Sequence, residues 1–173
     1  MPIQCSRDHE TSMTQCPFCK MPAERVLSSS ELVFTIRDRF PVSPGHTLVI
    51  IKRSVARFGL LTPDEKLRLW KWVDWGIDHL QRTLTPSPNG FNLGLNDGPA
   101  AGQTVPQLHF HIIPRYTDDV SDPRGGVRHV IPAKACYWRV EPSVDPSLVA
   151  VVASPDQLKR PHRWTGNDVS NRH

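Results

Sequence analysis

Runs of apolar residues divide the first part of the chain into two strands. In "SSSELVFTIRD", Leu32, Phe34 and Ile36 recur at every second position, which predicts a strand with one face on the core. The proline and glycine of "FPVSPG" then predict a turn. The following "HTLVIIK" is apolar without alternation, which favours a central strand of the sheet.

An amphipathic helix is predicted next. Thr62, Pro63 and Glu65 form a helix start, with a hydroxyl N-cap, a proline at the first helical position and a glutamate three residues after the cap. "TPSPNG" ends the helix. Helical spacing predicts a buried face made of Leu67, Trp70, Val73, Ile77, Leu80 and Leu84. Trp72 and Trp75 lie off this face, where they would pack at the edge of the core or in a subunit contact.

Two further strands are predicted around a glycine-rich loop. "FNLGLN" is the third strand, with Phe91, Leu93 and Leu95 inward, and "QLHFHII" is the fourth. "DGPAAGQTVP" forms the loop between them, and a further short strand is expected near "VRHVIP". Strands, a helix and then more strands predict an α+β domain, with a mainly antiparallel sheet of about five strands and one long helix.

Composition and charge limit the classes of function. The net charge of +4 suits an anionic ligand, but the basic residues are scattered, which favours a solvated surface over a nucleic-acid patch. No apolar run approaches the roughly 20 residues of a membrane span, and the opening is polar, so we expect a cytoplasmic protein without a membrane partner. We divide the 173 residues into an N-terminal segment (1–25), one domain (26–140) and an extended or disordered tail (141–173).

The strand "QLHFHII" carries the candidate chemistry. Residues two apart share a face of a strand, so His109 and His111 project together, roughly 7 Å apart, with Gln107 on the same face. The alternate residues, which would point into the core, are Leu108, Phe110 and Ile112. A buried imidazole costs stability unless it is hydrogen-bonded, so a core does not require this pattern. Taken alone, the pair could also be a metal site or a chance occurrence.

The glycine-rich loop before this strand changes the interpretation. Its glycines let the backbone approach a ligand, its amides suit phosphate oxygens, and Gln103 and Thr104 add side-chain donors. A neutral histidine is a competent nucleophile toward phosphorus, and a second, protonated histidine could stabilise the transition state. Together these features predict phosphoryl or nucleotidyl transfer.

At this point the chain resembles a known family, the histidine triad (HIT) nucleotide hydrolases and transferases. "GQTVPQLHFHIIPR" is similar to the family motif of three alternating histidines preceded by Gly-Gln-Ser/Thr. "FPVSPGHTLVI", "LTPDE" and "LNDGPAAGQT" also match, most closely in the fragile-histidine-triad and bacterial dinucleoside-polyphosphate branches. The resemblance covers roughly residues 16–140.

The resemblance implies a homodimeric hydrolase that needs no cofactor for catalysis and releases a nucleoside monophosphate from a dinucleoside polyphosphate or a nucleotide conjugate. His109 would attack the α-phosphate and form a nucleotidyl-histidine intermediate. His111 and His46 would contact the same phosphate. The other residues that it implies in nucleotide binding are Gln103, Thr104 and Asn96 at the phosphates and Asp38 at the ribose.

Gln107 departs from the family motif, because the first triad histidine belongs at its position. Glutamine can donate and accept hydrogen bonds but cannot carry a proton charge. If the position only orients its neighbours, catalysis survives. The alternatives are a nucleotide-binding protein without turnover or, from another class, a small zinc-dependent nucleic-acid binder.

A second departure concerns zinc. Zinc-bearing bacterial relatives use an N-terminal C-x-x-C, a histidine at the position of Ser54 and the first triad histidine, so their metal site cannot form here. "CPFC" nevertheless remains, and in a cytosolic chain it favours a metal clip or a redox pair. A local Cys3His set suited to structural zinc would consist of Cys16, Cys19, Cys5 and His9. The alternative is a reduced thiol pair without metal. Cys136 is expected to be structural.

Overall fold

The computed structural model describes residues 3–4, 18, 20–136 and 138. In that part of the chain the strands are β1 (Ile3–Gln4), β2 (Lys20–Met21), β3 (Val26–Ser29), β4 (Val33–Arg37), β5 (Thr47–Ile51), β6 (Gly90–Gly94) and β7 (His109–Arg115). The α-helices are α1 (Pro63–Thr83) and α2 (Pro132–Ala135).

Strands β3 to β7 form one antiparallel sheet in the order β3-β4-β5-β7-β6. Strands β1 and β2 pair separately as a two-stranded ribbon. The sheet and the long helix α1 confirm the α+β prediction. The strand predicted to be central, β5, is the middle strand of five, and all its residues are buried.

Strand β4 is buried on both faces, so the prediction of a one-sided strand is wrong. Val33 packs in the apolar cluster under α1, whereas Phe34 and Ile36 pack on the opposite face. That opposite face is covered by Phe18 and Met21 of the N-terminal segment. The alternation of apolar and polar residues within β4 could not show this, because the residues that cover its second face belong to another segment of the chain.

Helix α1 begins as predicted but buries a shifted face. The buried residues are Glu65, Leu69, Val73, Gly76 and Leu80. Leu67 and Trp70, predicted to be buried, are 53% and 51% exposed, so that part of the prediction is wrong. At Gly76 the helix packs against the sheet, since an added Cβ would come within 2.5 Å of the Ile112 Cδ1 atom. Hydrophobic periodicity overlooks a glycine contact of this kind.

The prediction of a short strand near "VRHVIP" is also wrong. Residues Gly126–Val130 form a 3-10 turn, and α2 follows at Pro132. Gly125 and Gly126 have φ angles of +86° and +46°, a left-handed conformation that an extended strand does not contain. No helix in the described part of the chain is both long enough and apolar enough to cross a bilayer.

The start of α1 is tied to the end of β5. Thr62 and Glu65 form a reciprocal capping box, in which each side chain accepts a hydrogen bond from the other residue's main-chain N–H. The Glu65 carboxylate also accepts hydrogen bonds from Arg53 Nε and Nη2, at 2.7 and 2.8 Å. These bonds from Arg53 are the main reason that the pKa of Glu65 lies below its ordinary value. This link fixes the connection that leads from the central strand into the helix.

We expect Thr62→Ala to lower the free energy of unfolding by about 1 kcal/mol, because the Glu65 N–H loses its acceptor. Urea denaturation measures the change. Thr62→Ser keeps the hydroxyl and should stay close to the wild type; a serine variant as unstable as the alanine variant would contradict the capping role.

Candidate active site

Strand β7 places two histidines on the face of the sheet opposite α1. The rings of His109 and His111 lie with their centroids 5.0 Å apart. Their cross-strand neighbours on β5 are Ile50 and Leu48, respectively. The alternate residues Leu108, Phe110 and Ile112 are buried in the cluster under α1, as predicted. The strand therefore has one apolar face and one face that carries imidazoles.

A main-chain hydrogen bond fixes the tautomer of His109. Its Nδ1 atom lies 2.8 Å from the carbonyl oxygen of Gln107. A carbonyl can only accept, so Nδ1 carries the proton and donates it. In the neutral ring the Nε2 atom then carries a free lone pair. The arrangement provides a nitrogen nucleophile whose other ring atom is held by the backbone.

An aromatic ring from the N-terminal segment packs against His109. The Phe18 and His109 centroids are 5.3 Å apart in an edge-on arrangement, and Phe18 is only 8% exposed. Phe18 stands inside the "CPFC" motif, which drew attention through its cysteines rather than its phenylalanine. Sequence reasoning missed this contact, since the pairing depends on the path of the N-terminal segment.

A chain of two hydrogen bonds sets the tautomer of His111. The Val42 main-chain N–H donates to His46 Nδ1 at 3.3 Å, so that His46 carries its proton on Nε2. His46 Nε2 in turn donates to His111 Nδ1 at 2.9 Å. Neutral His111 therefore carries its own proton on Nε2. That Nε2 atom is buried and has no hydrogen-bond partner among the described residues, so its N–H is an unsatisfied donor.

Burial keeps both members of this chain neutral. Desolvation, together with the nearby His109 and His46, lowers the pKa of His111 from 6.5 to about 4, although Asp38 opposes the shift. Burial also lowers the pKa of His46, although Asp38 opposes the shift. At neutral pH His111 is thus a neutral hydrogen-bond donor. The protonated second histidine considered from the sequence is not the form that this environment favours.

Asp38 lies beside His46. Its Oδ2 atom is 3.6 Å from His46 Nδ1, and its Oδ1 atom accepts the Phe40 main-chain N–H at 2.8 Å. The carboxylate therefore shapes the turn between β4 and β5, which also contains the Val42 amide. The resemblance implies a ribose contact for Asp38, and that role stays a prediction.

Asp38, His46 and His111 also form a cluster that offers metal-ligand atoms. One such atom from each residue lies within 4.8 Å of the others. The His46 and His111 nitrogens that face each other are already hydrogen-bonded, however, and His46 Nδ1 accepts the Val42 N–H. The observed geometry is therefore that of a hydrogen-bonded pair of rings, and an ion would have to displace these bonds.

The Gln107 side chain is fully buried and ties β7 to the segment after β5. Its Nε2 atom donates to the carbonyls of Ile51 and Arg53, at 2.7 and 2.9 Å, and its Oε1 atom accepts the Val55 N–H at 3.3 Å. Both amide hydrogens are thus in use on the backbone. This position does not fit a zinc ligand, since the amide is neutral and its donors point at carbonyl oxygens.

Four main-chain N–H groups of the glycine-rich loop, residues 97–106, are hydrogen-bonded within the loop, and the expectation that the loop's amides hold phosphate stays a prediction. Gly98 N–H donates to Gln103 Oε1, and the N–H groups of Ala101, Gly102 and Gln103 donate to carbonyls of the loop. The 3-10 turn Pro99–Ala101 accounts for two of these bonds, from Ala101 N–H to the Gly98 carbonyl and from Gly102 N–H to the Pro99 carbonyl.

The Gln103 side chain supports this loop. Besides accepting the Gly98 N–H, it donates through Nε2 to the carbonyls of Ala56 and Val105, at 2.8 and 3.1 Å. Asn96 and Thr104 are exposed in the same loop. The Asn96 Nδ2 atom would lie 4.0 Å from a Cβ on Gly102, so its amide is close to the turn.

The four residues of the expected zinc set, Cys5, His9, Cys16 and Cys19, lie outside the described residues. Cys136 is half-buried and has a free thiol.

Sequence reasoning also missed Val42, which acts through its main-chain N–H; no side-chain pattern could have shown this role.

We expect Gln107→Ala to lower the free energy of unfolding by about 2–4 kcal/mol, because buried backbone groups of residues 51–55 lose their partners. The His109 tautomer should persist, since it depends on the Gln107 carbonyl rather than its side chain. Denaturation and imidazole ¹⁵N NMR measure the two effects. The exposed Gln81→Ala serves as control, and loss of the Nδ1–H signal in Gln107→Ala would contradict this division of roles.

The chain is similar in sequence to two named enzymes. The chain is 38% identical over 109 residues to the asymmetrical bis(5'-nucleosyl)-tetraphosphatase of Schizosaccharomyces pombe, covering 62% of this chain and 59% of that protein. It is 34% identical over 119 residues to the bifunctional bis(5'-adenosyl)-triphosphatase/adenylylsulfatase FHIT of Arabidopsis thaliana, covering 68% and 65%. The chain therefore matches less than two thirds of the length of either relative.

A solved structure and a family model also match this chain. The crystal structure of a HIT family protein from Bacillus anthracis superposes with a TM-score of 0.51 and 35% identity, covering 54% of this chain and 64% of that one. The HIT domain family model matches residues 21–118, more than half of the chain and including the histidine strand. The chain belongs to the HIT domain family.

Proposed function

We propose that this protein hydrolyses dinucleoside polyphosphates, or related nucleotide conjugates, at the α-phosphate and releases a nucleoside monophosphate. The observation that carries the proposal is the bond from His109 Nδ1–H to the Gln107 carbonyl, because it leaves Nε2 as the nucleophilic atom. The two curated relatives described above are named for cleavage of a bis(5'-nucleosyl) tetraphosphate and a bis(5'-adenosyl) triphosphate, which supports this substrate class.

In the first step, the His109 Nε2 lone pair forms a bond to the α-phosphorus. The bond from that phosphorus to the bridging oxygen breaks, and its electron pair leaves with the departing phosphate. The imidazole of the intermediate then carries a positive charge, with phosphorus on Nε2 and a proton on Nδ1. The Gln107 carbonyl accepts that Nδ1–H and so stabilises the charge.

In the second step, a water oxygen attacks the same phosphorus. The N–P bond breaks, its electron pair returns to Nε2, and the water releases a proton to solvent. Neutral His109 and a nucleoside monophosphate result. The unused Nε2–H of His111 donates to the phosphate oxygens in both steps. Because His111 is neutral, it stabilises charge as a hydrogen-bond donor and does not have to give up its proton.

Phosphate binding then depends on side chains more than on the loop backbone. We propose that Thr104 and Asn96, which are exposed in the loop, supply the remaining donors. Gln103 acts indirectly by holding the loop to Ala56 and Val105. His46 orients His111 through the bond between their rings.

Replacing the first triad histidine by Gln107 is compatible with turnover in this scheme. The group that serves the nucleophile is the Gln107 carbonyl, which any residue would provide. The side chain holds β7 in place through neutral hydrogen bonds. A nucleotide-binding protein without turnover is the competing function, and the trapping experiment below separates the two. Structural zinc at the N-terminal cysteines and a homodimer, both suggested by the sequence, are further proposals.

We expect His109→Asn to reduce kcat for diadenosine tetraphosphate by at least about 10³-fold, because the nucleophile is removed. Mass spectrometry of the quenched wild-type reaction should show a nucleotidyl adduct on His109. His79→Asn, on helix α1, is the matched control and should keep both turnover and adduct. Binding of the substrate by the wild type with neither adduct nor product would favour the function without turnover.

We expect ¹⁵N NMR to show His111 as the Nε2–H tautomer at pH 7, with protonation centred at about 4. Since this pKa lies below the ordinary 6.5, the unfolded chain takes up the proton first. The stabilisation from neutral His111 is therefore complete above pH 6.5 and is lost as the pH falls through about 4. A midpoint for His111 close to 6.5 would contradict the neutral-donor role.

A further inference from the structure

Arg37 carries a positive charge on the face of the sheet opposite the histidines. It is the last residue of β4 and pairs across the sheet with Thr47, the first residue of β5. Thr47 in turn pairs with Ile112 of β7, which packs in the apolar cluster under α1. Because directly paired residues share a face of the sheet, the Arg37 side chain lies on the helix side, away from His109 and His111.

The position of Arg37 is unusual, because a partly buried cation ordinarily has an anion beside it. None of the ion pairs in the described part of the chain includes Arg37. Burial lowers the pKa of its guanidinium, and the group that opposes this shift is Tyr116 rather than a carboxylate. Its Nη1 atom instead donates to two neutral oxygens, the Gly45 carbonyl at 2.9 Å and Thr47 Oγ1. The guanidinium therefore binds the turn that leads into β5.

The Gly45 carbonyl belongs to a turn that is held on several sides. Gly45 has a φ angle of +88°, and a Cβ there would overlap the side chain of Leu84, which follows α1 directly. The Gly45 oxygen accepts hydrogen bonds from Arg37 Nη1 and from Thr47 Oγ1, the latter at 2.8 Å. These two donors use both lone pairs of that oxygen. The orientation of the peptide group between Gly45 and His46 is therefore set from the helix side of the sheet.

This peptide group connects the two faces of the sheet. The Gly45 carbonyl and the His46 N–H lie in one rigid plane, and the N–H donates to the Ser43 carbonyl at 3.1 Å. On the histidine face, the His46 Nε2 atom lies 2.9 Å from His111 Nδ1. Rotation of the plane would move the Cα atom of His46 and its ring. Because a hydrogen bond weakens steeply with poor distance and angle, such a movement would break the bond between the rings.

We propose that Arg37 is a positioning residue for the histidine pair. By binding the Gly45 carbonyl, its guanidinium fixes the next peptide group and so keeps His46 Nε2 within hydrogen-bond distance of His111 Nδ1. Arg37 acts through the turn, since it lies on the other face of the sheet from His109. The inference rests on the proposed function for its effect on turnover, whereas the bond between the rings can be measured without substrate.

The first test measures that bond by NMR. In the wild type we expect a ¹⁵N–¹⁵N coupling across the hydrogen bond between His46 Nε2 and His111 Nδ1. The coupling should disappear in Arg37→Met, which keeps an aliphatic side chain but has no donor, and return in Arg37→Lys, which restores a donor. Thr47→Val removes the second donor to the same carbonyl and should weaken the coupling, so the proposal stays testable if Arg37→Met does not fold.

Tyr116→Phe and Arg82→Met are the matched controls. The Tyr116 hydroxyl donates to the Pro44 carbonyl at 3.0 Å, one peptide group before the one that Arg37 holds. Its removal loosens the same turn but leaves the bonds to the Gly45 carbonyl in place. Arg82 is an exposed cation on α1. Both variants should keep the coupling. Equal loss of the coupling in Tyr116→Phe, or its persistence in Arg37→Met, would overturn the proposal.

The second test measures turnover of diadenosine tetraphosphate. Because His46 no longer holds the His111 ring, we expect Arg37→Met to lower kcat at least about tenfold and to leave KM within about twofold, with most of the loss recovered in Arg37→Lys. Arg82→Met should match the wild type. Normal turnover in an Arg37→Met protein that lacks the coupling would refute the effect on catalysis. Wild-type protein without turnover would instead refute the proposed hydrolase, and the NMR result would still decide the role of Arg37.

Discussion

The hydrogen bond between the Gln107 carbonyl and His109 Nδ1–H is the interaction on which the site depends. It fixes which nitrogen is free, and it uses a group of the peptide backbone that lies two residues before the ring on the same strand. Its geometry is therefore determined by how β7 is held. Two glutamine side chains provide that support, since Gln107 binds residues 51–55 and Gln103 binds Ala56. The segment between β5 and α1 is thus part of the active-site framework.

The two histidine rings of β7 are held in place by different contacts. His109 is oriented by its own strand and by Phe18 from the N-terminal segment. His111 is oriented across the sheet by His46, which precedes β5 directly. Burial beside two other imidazoles then holds the pKa of His111 low, so that this ring remains a neutral donor beside His109.

Much of this could be predicted from the sequence, because it depends on local patterns. The helix start at Thr62, the central strand and the shared face of His109 and His111 all follow from spacing and residue type. The failures have a common cause. The buried face of α1 includes Gly76, and the second face of β4 is covered by Phe18 and Met21. Each of these contacts depends on the three-dimensional path of the backbone, which local residue patterns do not specify.

The chain of bonds that ends at His111 begins at the amide of Val42, a residue whose side chain is 72% exposed. Solvent is the main neighbour of that side chain, and any residue except proline would keep the main-chain N–H in place. Proline alone would abolish the first donor of the chain, since it lacks an N–H. A surface residue whose side chain touches mainly solvent thus sets, through its main chain, which nitrogen of His46 carries the proton.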